Sequence, residues 1–233
     1  MTGPITVIPI DGVPEIQPGD DLGAILADRM EARGLEPAPG DVLVVTHKVV
    51  SKAEGRIRPA PDDAAYRAVV EEEARAVLRR RGDLTIAVTR HGFICANAGV
   101  DRSNTDEGSV VLLPIDPDRS AHRLRTTLRQ RLGMDLAVVV TDTFGRPWRR
   151  GLVDVAIGIS GLPAVVDLRG TLDGNGRTLE VTEIAVVDEI AAAADLVMGK
   201  AARVPAALVS GMDLTGEGRA TDLVRPAGED LFR

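Results

Sequence analysis

The sequence predicts a mixed α/β chain of the α+β class, and three observations predict it. Short runs rich in Val and Ile alternate with stretches of helical period. Those stretches do not recur at the regular spacing that a βαβ repeat would need, and no internal repeat or long linker is visible. The 233 residues are 44% hydrophobic but only 2% aromatic, so the core must be built from Val, Ile, Leu and Ala. That supply suffices for one large domain or two modest ones, at roughly 100 to 200 residues each.

Ile5 to Ile10 reads as a strand, and a Pro/Gly turn then leads to Asp20 or Asp21 as N-cap of a helix from Leu22 to Arg33 closed by Gly34. Val42 to Val50 is apolar at nearly every position until His47, which predicts a buried strand. Asp62 caps a helix predicted over Asp63 to Arg80, with Tyr66, Val70, Ala74 and Val77 on one face and Glu71, Arg75 and Arg79 on the other. The Arg79-Arg80-Arg81 run would then complement that helix's C-terminus. Leu84 to Thr89 and Ser109 to Leu113 follow as strands, and Asp118 or Ser120 opens a helix to about Leu132. Leu136 to Thr141 is another buried strand, Ala164 to Leu168 a further one, and Asp173 to Gly176 a Gly-rich turn. Ile184 to Met198 is an Ala-rich helix followed by the strand Ala206 to Val209.

Charge and composition exclude several functions. With 28 Lys plus Arg against 35 Asp plus Glu the net charge is -7, which repels nucleic-acid phosphates. Apolar runs are broken far short of the roughly 20 residues that span a bilayer, and Met1 to Gly12 carries no basic signal region, so no membrane role is expected. One cysteine, Cys95, cannot form an intrachain disulfide, which fits a cytoplasmic location. There is no G-x-x-x-x-G-K-[ST], G-x-S-x-G or H-E-x-x-H motif, and Gly174 and Gly176 lack the strand and third glycine of a dinucleotide fingerprint. Cys95 with His91 four residues earlier has no orienting third group for nucleophilic catalysis, and His122 reads as a surface residue.

Three polar loops remain. His47 to Arg56 places Lys48, Lys52 and Arg56 at the exit of a buried strand, where they could neutralise a polyphosphate or simply be solvated. Asn97 to Thr105 combines glycine with short oxygen-bearing side chains; Asp101 and Asn104 suit a hard cation and a nucleotide, or an Asx-turn. Thr141 to Arg150 sets Asp142 at a strand end, Thr143 beside it, and Arg146, Arg149 and Arg150 around Phe144 and the single Trp148. This loop suits a cation plus an anionic or flat ligand, or a surface cation–π knot.

The order V-V-S-K-A-E-G-R at Val49 to Arg56, A-G-V-D-R-S-N at Ala98 to Asn104, and T-D-T-F-G-R-P-W-R at Thr141 to Arg149 resembles the coenzyme F420-0:L-glutamate ligase (γ-glutamyl ligase) family. Pro9 to Ile16 and Leu196 to Lys200 are similar to it too, so the resemblance spans most of the chain. It implies a family-specific two-part fold over residues 1–233, its internal boundary not set by sequence, and an intertwined homodimer. It also implies a GTP-dependent ligase using Mg²⁺ or Mn²⁺ with K⁺, adding L-glutamate to coenzyme F420-0 and then further γ-linked glutamates through an acyl phosphate. Carried over by motif position, Asp101, Asp142 and Thr143 would be metal ligands. Gly12, Val13, Pro14, Glu15, His47, Lys52, Asn104, Met198, Gly199 and Lys200 would bind the nucleotide, within a pocket completed by residues 198–205. Lys52, Asp142 and Arg146 would act in catalysis, Lys52 on transferring charge and Arg146 on acidic substrates.

Lys200 stands where the family is expected to offer Gln or Glu, and an ammonium cannot ligate a cation; His47 stands where a smaller hydroxyl residue is common. Arg225 to Arg233 resembles the join of a two-domain version that continues into a flavin-binding, nitroreductase-like domain. The residues alone leave open a metal-dependent phosphohydrolase with water as acceptor, and a non-catalytic binder of acidic ligands.

Overall fold

A computed structural model describes residues 3–200 and 202–231; Met1, Thr2, Ala201, Phe232 and Arg233 lie outside the described residues, so the 198–205 segment and the C-terminal join are covered only in part. The elements run β1 (Thr6–Ile10), α1 (Leu22–Ala32), β2 (Val42–Thr46), α2 (His47–Ala53), β3 (Ile57–Pro59), α3 (Asp63–Glu73), β4 (Ala74–Arg81), β5 (Leu84–Thr89) and β6 (Ile94–Ala96). They continue β7 (Ser109–Val111), α4 (Pro117–Leu132), β8 (Ala137–Arg146), β9 (Arg149–Ser160), β10 (Val166–Asp167), β11 (Glu183–Ile184), α5 (Val186–Met198) and β12 (Ala206–Ser210). The α+β class is thus the one observed.

The main sheet has the order β1-β12-β2-β8-β9. Only β2 and β8 run parallel; the other neighbours are antiparallel. Alternation divides its side chains between two layers. Leu43, Val45, Val138, Val140 and Leu208 pack with Leu22, Leu26 and Met30 of α1 and Leu124 and Leu128 of α4. Val42, Val44, Val139, Ala207 and Val209 pack with Val187, Ile190 and Ala194 of α5 on the opposite face. Burial on both faces is why β2 and β8 read as uninterrupted apolar runs. A smaller cluster, Val69, Val70, Ala87, Ala98, Val100, Val110 and Leu112, joins α3 to β5, β7 and the turn after β6.

Four expectations are corrected. The run from Val42 does not stay extended to Val50: the strand ends at Thr46, whose hydroxyl accepts from Lys48 N at 3.2 Å and caps α2. The helix from Asp63 ends at Glu73 rather than Arg80. Ala74–Arg81 is instead β4, paired antiparallel with β5 through the two-residue turn Gly82-Asp83, so Arg79, Arg80 and Arg81 sit on a strand and not at a helix end. Gly82 takes φ 58°, the left-handed value that such a hairpin turn demands. Pairing with β5 supplies backbone bonds that outweigh the helical period of Val70, Ala74 and Val77. The helix expected from Asp118 or Ser120 is capped earlier, by Asp116 accepting from Arg119 N at 3.0 Å with Pro117 as its first residue. The Asp118 carboxylate instead accepts from Ile159 N at 2.9 Å. Finally, Thr141 to Arg150 is no loop: β8 runs on to Arg146 and pairs with β9 as far as Arg146 opposite Arg149, turning at Pro147-Trp148. Among the described residues no helix is long and apolar enough to cross a membrane.

Candidate functional site

The parallel pair β2–β8 builds the site. Thr46 lies opposite Thr141, so the start of α2 emerges beside Asp142 and Thr143 where β2 and its parallel pairing with β8 end. The antiparallel partner β9 places Asp154 opposite Thr143. The end of α5 and the chain entering β12 close a third side, fastened where Thr46 N donates to Pro205 O at 2.9 Å. Between these elements lies a cavity of about 410 Å³, of ordinary size for a small-molecule site.

Its wall includes Val13, Pro14, Glu15, His47, Lys52, Asn104, Asp142, Thr143, Met198, Gly199 and Lys200, which the sequence motifs had singled out from five separate stretches. Three other candidates lie elsewhere. Gly12 is outside the wall, its carbonyl accepting from Arg29 Nη1 at 3.1 Å. Asp101 is one ion pair removed from the wall: Lys48, a wall residue, holds Asp101 Oδ2 at 2.9 Å and donates to Ser103 Oγ at 2.7 Å. Arg146 is at the exposed hairpin tip, where its Nη2 donates to Arg150 O at 2.7 Å. Sequence reasoning did not single out Asp154 and Asp195, which also line the cavity. A lone carboxylate inside the apolar run Leu152 to Ile159 was the available signal for Asp154; Asp195, on an Ala-rich helix, had none.

Charge on the wall is divided. Lys48, Lys52, Lys200 and Arg203 carry positive charge, and Lys52 Nζ pairs with Glu15 Oε1. Asp142, Asp154 and Asp195 carry negative charge, and among the described residues none of the three is paired with a Lys or Arg. Asp154 accepts hydrogen bonds from Thr141 Oγ1 and Thr143 Oγ1. Burial raises its carboxyl above the ordinary range; the threonine bonds act against that, and the charges of Asp195 and Asp142 add to it. For Asp101 burial acts in the same direction, but the Lys48 bond, the Ser103 amide and the Lys48 charge together outweigh it and hold the carboxyl below its usual value.

His47 is 1% exposed, and neither ring nitrogen has a hydrogen-bond partner among the described residues. Its Nε2 comes within 3.2 Å of Asp142 Oδ1 without hydrogen-bond alignment. The same Oδ1 accepts from Thr143 N at 2.7 Å. Buried polar atoms left without partners are costly, and a bound ligand is one way to satisfy them.

The wall also suits a hard divalent cation. Carboxylates that have no Lys or Arg partner among the described residues, together with the Thr143 hydroxyl, are oxygen donors of the right kind. Among the described residues no three His, Cys, Asp or Glu side chains converge as a complete ligand set, so hydroxyl, phosphate or water oxygens would have to complete it. Asp101, already neutralised by Lys48, would have to give up that ammonium to join.

Comparison with known proteins adds the chemistry. Residues 12–211 match a family model described as F420-0:Gamma-glutamyl ligase. A coenzyme F420:L-glutamate ligase from Methanothermobacter thermautotrophicus is 41% identical, over 98% of this chain and 99% of its own length. One of the same description from Methanopyrus kandleri is also 41% identical, over 99% of this chain and 100% of its own length. The Methanocaldococcus jannaschii protein so described is 37% identical over 83% of this chain and 85% of its own.

Proposed function

Because this chain belongs to the F420-0:gamma-glutamyl ligase family, we propose that its cavity joins L-glutamate to coenzyme F420-0 at the expense of GTP, the second and later glutamates entering through γ-linkages. The observation that carries this reading is the divided wall: basic side chains suited to phosphates and carboxylates suited to a cation line one cavity. Simple binding of an acidic ligand would have no use for Asp142, Asp154 and Asp195, which among the described residues have no Lys or Arg partner.

A free carboxylate resists an amine because its charge is delocalised and oxide is a poor leaving group. Transfer of the γ-phosphoryl group to that carboxylate makes an acyl phosphate and GDP. The glutamate amine then attacks the acyl carbon, loses a proton and expels inorganic phosphate, so atoms and charge balance. A Mg²⁺ or Mn²⁺ ion held by Asp142 and Thr143, with Asp101 if Lys48 releases it, would neutralise charge on the phosphates. Lys52, steadied by Glu15, lies in the wall as a point charge for the transferring phosphoryl oxygens. Lys48 and Lys200 offer further cations for phosphate, and the orphan nitrogens of His47 offer contacts to the nucleotide. No protein nucleophile is required, which agrees with the position of Cys95: it is buried, and burial followed by the charge of Asp142 pushes its thiol up to about 12.

The direct test is mass spectrometry of coenzyme F420-0 mixed with protein, GTP, L-glutamate and Mn²⁺. A ladder of fixed mass steps that requires all four additions is the expected result. Phosphate release from GTP at the same rate without acceptor and glutamate would refute ligation and favour hydrolysis.

A further inference from the structure

Asp154 is 4% exposed in β9, and threonine hydroxyls occupy both of its oxygens. Thr143 Oγ1 donates to Oδ1 at 2.7 Å and Thr141 Oγ1 donates to Oδ2 at 2.8 Å. A hydroxyl has one proton and two lone pairs, whereas an ionised carboxylate only accepts. Both threonine protons are therefore committed to Asp154, and each hydroxyl has only lone pairs left for other neighbours. Thr143 lines the cavity next to Asp142, so the consequence reaches the cavity wall.

Pinning β8 to β9 does not explain this residue. The two strands already pair from Val138 opposite Ser160 to Arg146 opposite Arg149. A carboxylate raised first by its burial and then by the charges of Asp195 and Asp142 is a costly way to add two hydrogen bonds to that ladder. An asparagine would bridge both threonines without a charge, but only by reversing the bond to one of them.

We propose that Asp154 is a positioning residue: by accepting both hydroxyl protons it fixes Thr143 Oγ1 as an acceptor-only oxygen in the cavity wall and so prepares it to receive a divalent cation. The inference rests on the reading of this cavity as a metal–nucleotide site, and it requires no change in protonation.

The test is Mn²⁺ binding to the full chain in the presence of GTP, followed by the electron paramagnetic resonance signal of free Mn²⁺, for wild type, Asp154→Asn, Thr143→Val and the double variant. Asp154→Asn keeps an acceptor for only one of the two hydroxyls, and Asp154→Val, added to the series, removes the acceptor for Thr143 whichever way the amide would turn. Loss of an outer partner of a metal ligand typically weakens binding roughly 10- to 100-fold, and that is the expected shift. The double variant should bind no more weakly than Thr143→Val alone, because Asp154 acts through that hydroxyl, and the melting temperature of Asp154→Asn should match or exceed wild type. If wild type binds Mn²⁺ while Asp154→Val binds it equally well, or if the two losses multiply, the positioning role is overturned and the metal reading stands. A melting temperature lowered by more than about 4 °C would make Asp154 structural and overturn the role as well. Absence of Mn²⁺ binding by the wild type would overturn both.

Discussion

Asp142→Asn isolates charge from geometry at the centre of the site. The asparagine Oδ1 can still accept from Thr143 N, now at 2.7 Å, and can keep its approach to His47 Nε2 at 3.2 Å, so local structure should survive. What disappears is one negative charge on a side chain that is 13% exposed. At that depth an effective dielectric near 20 applies, and the attraction to a cation about 4 Å away is about 4 kcal/mol per unit charge. Dehydration and the remaining amide dipole offset part of it; a net loss of about 3 kcal/mol corresponds to roughly 10²-fold at 1.36 kcal/mol per decade. Glutamate addition should therefore fall roughly 10²- to 10³-fold, measured by mass spectrometry with GTP and glutamate saturating and Mn²⁺ titrated. The melting temperature should not fall, since removing this charge relieves its repulsion on Asp154. A wild-type rate at the wild-type Mn²⁺ midpoint would refute the role given to Asp142. A loss of rate that tracks unfolding would refute the electrostatic argument.

Three further outcomes follow from packing and burial. Glu73 is buried and accepts from Arg56 Nη2 at 3.1 Å and Arg90 Nη2 at 2.9 Å; Glu73→Ala leaves Arg56 uncompensated and should cost about 3 kcal/mol, lowering the calorimetric midpoint by roughly 6 to 12 °C. A midpoint within about 2 °C of wild type would contradict this. A Cβ on Gly158 would stand 2.7 Å from Pro117 Cβ and closer still to its carbonyl, so Gly158→Ala should force α4 from β9 at a cost of about 1 to 3 kcal/mol, seen as a lower urea midpoint. The Cys95 thiol, pushed up to about 12 chiefly by burial, should resist Ellman's reagent at pH 8 in the native protein and react promptly in denaturant. Since its ordinary value is 9.0, the contribution of this group to stability is fully present below pH 9 and is lost as pH rises through 12.

Where one local signal governed the backbone, the sequence was legible. The caps Asp21 and Asp62, the closing Gly34 and the apolar run of β2 each state their element within a few residues. The failures occur where two signals overlap. Helical period continued through Ala74 and Val77, yet β5 needed an edge partner and the Gly82-Asp83 turn brought β4 to it. The apolar run from Val42 hid the Thr46 cap, and the polar stretch from Thr141 hid the β8–β9 ladder, because polarity alone does not distinguish a loop from a strand extending past the sheet.

By itself the sequence marked, through its family motifs, stretches that come to line one cavity: Val13 to Glu15, His47 to Lys52, Asn104, Asp142 to Thr143 and Met198 to Lys200 were all marked before any were known to meet. Only the tertiary structure decided how they meet. Strand register put Asp154 against Thr143, a helix face brought in Asp195, and Asp101 stands behind the wall, ion-paired to Lys48. Residue types record what chemistry a chain can perform, but hydrogen-bond register and ion pairing between distant segments depend on distances that one-dimensional spacing does not contain.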